Sequence, residues 1–165
     1  MTITTPSSIY YTNTVKGDVF SVGPNWGEKS IVANNNQVWV KGDLIQVHET
    51  TGVASKAAAN STGKGKFCVA ARPKTLTSAE GIVLGKDAID KIALEFDAAV
   101  EPQTSVAPGS TSGNVTAFIE GTTAEYLEVG TYIGHGSEVG SGDNLATNAA
   151  DDDIGIVEIN PANWL

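Results

Sequence analysis

An internal disulfide is excluded from the start, because Cys68 is the single cysteine among 165 residues. Long apolar runs are missing too: the mean hydropathy is −0.06, and no stretch approaches the ~20 residues a membrane-spanning helix requires. Aromatic residues make up only 7% of the chain, and the runs of Leu, Glu, Lys and Ala that favour long helices are scarce. There are two histidines, His48 and His135, and their spacing marks no zinc set. Basic residues stop at Lys91, whereas twelve of the nineteen acidic residues lie beyond it. Residues 1–91 therefore carry a formal charge of +3 and residues 92–165 a charge of −12. Binding to nucleic acid needs a basic footprint, so no such partner is expected. Residues 1–8 have neither the basic start nor the apolar stretch of a secretion signal, so use without secretion and without a membrane is expected.

Short strands and turns are what the chain does contain. Its 18 glycines punctuate β-branched and aromatic runs at intervals of eight to twelve residues, as in a sandwich or barrel. One pattern occurs twice. Val15-Lys16-Gly17-Asp18-Val19-Phe20-Ser21-Val22 is echoed by Val40-Lys41-Gly42-Asp43-Leu44-Ile45-Gln46-Val47, and more weakly by Val129–Gly134. Glycine frees the backbone for a tight turn, and a following Asp can hydrogen-bond that turn. The expected fold is mainly β: a compact single-domain barrel or sandwich of short strands over residues 15–165. Strands are expected at 15–22, 30–33, 37–40, 44–49, 53–56, 67–71, 81–85, 114–120, 126–133 and 154–159. Ile89, Ile92, Ala93 and Phe96 follow the i, i+3, i+4, i+7 spacing and predict the one short helix, over 87–99. Ile92, Leu94 and Phe96 also alternate as a strand would. Residues 101–113, rich in Pro, Ser, Thr and Gly, read as a long loop. The apolar end, Pro161 to Leu165, is expected to be pinned to the body.

Residues 1–14 read as an extended N-terminal arm. Ile3, Ile9, Tyr10 and Tyr11 give it apolar anchors, placing it either over its own core or on a partner surface. Catalytic patterns do not emerge. Gly134-His135-Gly136 with Gly140 misses the dinucleotide spacing, and Ser137 is in no nucleophile elbow. Cys68, beside Phe67 and Val69, reads as a buried apolar side chain. Asp151-Asp152-Asp153 lacks the alternating spacing of a calcium loop and reads as a solvated acidic turn. No enzyme, cofactor or metal is expected.

In texture, the chain resembles the head decoration (capsid cement) proteins of tailed bacteriophages. The resemblance rests on Val40-Lys41-Gly42-Asp43-Leu44-Ile45, on Thr51-Gly52-Val53-Ala54, and on the small-residue strand from Phe67 to Ala71. The polar arm and the closing Ile154-Gly155-Ile156-Val157 extend it. The helix candidate and the stretch from Glu101 to Gly113 depart from the simplest members. The resemblance implies a β-protein, often a trimer, that is made in the host cytoplasm and clamps neighbouring major capsid protein subunits on the outside of the shell. It carries over no catalytic residues. Two other classes fit the composition: a tail or fibre component, and a β-sandwich carbohydrate-binding module that stacks sugars on Trp26, Trp39 or the tyrosines.

Overall fold

The computed structural model describes residues 14–22, 27–59, 63–135 and 149–165. Eleven strands run in the order β1 (Val19–Val22), β2 (Lys29–Val32), β3 (Leu44–His48), β4 (Ala54–Lys56), β5 (Gly65–Ala70), β6 (Glu80–Leu84), β7 (Ile89–Glu95), β8 (Ser105–Pro108), β9 (Val115–Ala117), β10 (Gly130–His135) and β11 (Ile154–Ile159). They form two antiparallel sheets. One has the order β1-β7-β11-β10-β8-β9 and the other β2-β6-β5-β3-β4. The result is a sandwich and not a closed barrel.

Period-two alternation explains the core. Leu44, Phe67, Val69 and Leu84 of the smaller sheet meet Ile92, Leu94, Tyr132 and Val157 of the larger across one interior. The intervening residues Ile45, Cys68, Ala70 and Val83 point the other way, yet they are also buried. Their cover is Trp39, fully buried over Gly81, where a Cβ would collide with the indole. The smaller sheet is thus apolar on both faces. The C-terminus is pinned as expected: the Trp164 indole N–H donates to the Val129 carbonyl at 2.7 Å, and the Leu165 amide to the Phe67 carbonyl at 2.8 Å. One residue pair thereby ties the two sheets together at their end.

Four expectations need correcting. The segment predicted as a helix over 87–99 is β7, paired with β1 on one side and β11 on the other. A central strand satisfies its backbone through both neighbours, and the alternation of Ile92, Leu94 and Phe96 into the core outweighs the helical spacing. The loop expected over 101–113 contains β8, whose Val106 is fully buried between β9 and β10. Pro108 ends that strand, and the surrounding polar composition hid it. The strand expected over 126–133 begins instead with a 3₁₀ turn at Glu125–Leu127. Likewise 37–40 contributes a single bridge, Trp39 to Lys74, and no full strand. The arm 1–14 lies outside the described residues apart from Thr14, as does most of the loop after Gly134.

The repeated sequence has a structural counterpart. In both copies the Asp amide donates to the Val carbonyl at 3.1 Å, while the Asp carboxylate accepts from the Val amide, at 3.0 Å for Asp18 and 2.9 Å for Asp43. Gly17 and Gly42 have φ of +91° and +92°, the left-handed third position of a type II turn. Each turn brackets one alanine: Gly17 and Asp18 bond to Ala93 of β7, and Gly42 and Asp43 bond to Ala70 of β5. The two turns then stack on one another, backbone against backbone, where the sheets converge. A Cβ on Gly42 would lie 2.6 Å from the Gly17 nitrogen.

This contact yields a prediction. Gly42→Ala combines a left-handed φ with a steric collision, and should destabilise the fold by about 3 kcal/mol or more. Gly121→Ala, with φ of +78° but open space around it, should cost only about 1 kcal/mol. Urea unfolding of the two variants would show the difference; equal losses would mean that the stacked turns do not constrain the fold.

Candidate interaction surface

Charge sorting along the chain becomes sorting in space. The smaller sheet is built wholly from residues 29–84, and the larger takes all but β1 from residue 89 onward. Among the described residues, 27–84 hold seven basic and four acidic residues, whereas 85–165 hold two basic and twelve acidic ones. The sandwich therefore has a basic layer and a strongly acidic one.

On the basic layer an apolar strip faces solvent. Trp39 and Lys74 exchange two backbone hydrogen bonds of 3.1 Å, so residues 38–40 run antiparallel to residues 73–75. Because the Trp39 side chain turns inward onto the sheet, its neighbours turn outward. Val38 and Val40 are each 51% exposed, opposite exposed Thr75 and Pro73. Exposed Lys41 and Arg72 flank them. Lys74 itself is buried, its ammonium donating to the Gln37 and Thr75 carbonyls and lying 5.7 Å from the Trp39 ring centre. Desolvation holds that ammonium below the ordinary lysine range.

Beneath the stacked turns lies a polar cluster. The Lys16 ammonium reaches Asp43 at 2.6 Å, Glu95 at 3.1 Å and Asn114 at 3.3 Å, and Lys56 approaches Asp43 at 3.8 Å. The reciprocal pair, Lys41 with Asp18 at 4.0 Å, stays at the surface. Five segments of both sheets meet here, and each buried charge has an opposite partner. Chemically the cluster is a fastener, with the ammonium shared among acceptors.

The other candidates resolve as follows. Ile3, Ile9, Tyr10 and Tyr11 lie outside the described residues, as does Trp26. Cys68 is fully buried; desolvation pushes its thiol far above the ordinary range, against a small opposing effect of Lys29. The His48 Nδ1 accepts from the Thr50 and Thr51 amides at 3.2 and 3.4 Å, a turn-forming role. In the 151–153 run, the Asp153 carboxylate accepts the Ala150 amide and Asp152 has a backbone φ of +67°, so the Asp153 side chain serves the turn. Among the described residues no three His, Cys, Asp or Glu side chains gather as a metal set, and no helix is long and apolar enough to cross a membrane. Trp39 is core and not a stacking platform. The sequence reading missed the outward valines, which the alternation about Trp39 could have revealed, and a cleft beside Tyr126, which nothing in the sequence marked.

Two outcomes follow. Lys16→Met leaves Asp43 buried without its main partner and should cost about 3–5 kcal/mol, whereas Lys41→Met should cost less than about 1 kcal/mol; denaturant melts would separate them. Cys68 should fail to react with a thiol reagent in the folded chain and react fully once denaturant unfolds it. Fast labelling of the folded chain would contradict its burial. As for relatives, no protein-family model matches the chain, and no curated protein matches its sequence.

Proposed function

We propose that this chain is a structural virion protein, a head decoration protein that binds the outside of a tailed-phage capsid and stabilises it. The observation that carries the reading is the Val38–Val40 strip with its Lys41 and Arg72 rim, set on the basic layer of a sandwich whose other layer is acidic. An interface needs an apolar centre to gain from desolvation and complementary charge to fix orientation. An acidic shell surface with apolar pockets at subunit junctions would meet both needs, leaving the acidic layer toward solvent. The arm with Ile3, Ile9, Tyr10 and Tyr11 would reach an adjoining major capsid protein subunit or a neighbouring copy. In a trimer each weak contact is multiplied, because later contacts form at high effective concentration. On this reading the protein works by binding alone, with no chemistry and no cofactor.

The decisive experiment mixes the purified chain with undecorated shells and follows sedimentation. The chain should pellet with the shells and resist a moderate salt wash. Val38→Asp combined with Val40→Asp should abolish co-sedimentation while leaving the unfolding midpoint nearly unchanged, since both side chains face solvent. Deletion of residues 1–14 should weaken binding. A wild-type chain that remains soluble beside the shells would sink the proposal, and a double variant that still pellets would move the interface elsewhere.

A further inference from the structure

A cleft of about 870 Å³ is lined by none of the valine-strip residues. A second, of about 350 Å³, adjoins it: Lys64, Tyr126 and Asn163 line both. Tyr126 thus stands between two clefts. The platform is held firmly. Tyr126 sits in the 3₁₀ turn Glu125–Leu127, half-buried against the main core, and the Asn163 amide donates to the Glu125 and Glu128 carbonyls at 2.9 Å each.

Polar groups beside the ring are equally fixed. Glu128 Oε1 accepts the Ser105 hydroxyl at 2.8 Å and Oε2 accepts the Asn160 amide at 3.3 Å. Each carboxylate oxygen can accept about two hydrogen bonds, so Glu128 keeps a free accepting position on both. Among the described residues the Tyr126 hydroxyl has no hydrogen-bond partner. A pre-oriented aromatic face next to a fixed acceptor and amides suits a ligand with an apolar ring face and hydroxyls around its edge.

We infer that these clefts bind a neutral oligosaccharide, with one sugar ring stacked on Tyr126 and its hydroxyls hydrogen-bonded to Glu128. The charge around them selects against the alternatives. Across the two clefts Glu49, Glu120, Glu125 and Glu128 stand against the ammonium groups of Lys64 and Lys66, so an acidic polysaccharide is repelled. The Lys64 ammonium already lies 5.7 Å from the Tyr126 ring centre, so a lysine-rich peptide would meet like charge where it would seek the ring. The inference stands independently of shell binding.

The test titrates the full chain, by calorimetry, with cello-, chito-, manno- and maltohexaose, and with oligogalacturonate and hexalysine as charged probes. At least one neutral hexaose should bind. Tyr126→Ala should weaken it at least about tenfold, whereas Tyr126→Phe, which keeps the ring, should stay within about threefold. Saturation transfer from tyrosine ring protons to sugar protons, measured on the unaltered chain, gives a readout that does not depend on the variants folding. Absence of binding by every neutral hexaose, binding unaffected by Tyr126→Ala, or binding of a charged probe alone would each overturn the inference.

Discussion

Two glycine turns pressed together at backbone distance, with Lys16 and Asp43 locked beneath them, set the spacing of everything else. The first turn leads into β1 of the larger sheet and the second into β3 of the smaller, so their stacking fixes how the sheets meet. Only glycine allows both the left-handed φ and the approach, and only a residue as long as Lys16 reaches from one turn to the acid of the other. A buried ion pair is rarely a large net source of stability, because desolvation offsets much of the attraction. Its value here is directional: unpartnered, Asp43 would be costly at 3% exposure, so the two turns are held to one relative placement.

That arrangement has consequences at the surface. Because the smaller sheet buries residues on both faces, it needs a second cover, and Trp39 over Gly81 supplies it. Turning Trp39 inward is what turns Val38 and Val40 outward. The exposed strip is thus a by-product of packing on the face below it, which makes it rigid. Surfaces of this kind lose little conformational entropy when a partner docks. The acidic layer, the valine strip and the Tyr126 clefts are then distinct features of one frame, free to serve separate partners.

Much of the fold was legible in the residues, and the failures have a common origin. Strands at 44–48, 67–70, 81–84 and 154–159 were readable from β-branched runs between turn signals. The helix expected over 87–99 failed because one segment satisfied two periodicities, and only pairing on both sides by β1 and β11 decides between them. β8 was hidden since Ser105–Pro108 has loop composition and becomes a strand by pairing with β9 and β10. The exposed valine strip was half legible: the order Val38-Trp39-Val40 implied alternation but not which side would be inward.

Sequence alone determined the β class, the repeated Val-Lys-Gly-Asp turn, the buried cysteine and the uneven charge, because each depends on local geometry or composition. Tertiary structure decided that the two turns touch, that charge segregates by sheet, and that Tyr126 stands between two clefts. Those depend on contacts between residues far apart in the chain, such as Lys16 with Glu95 and Asn163 with Glu125, whose pairing no local pattern encodes.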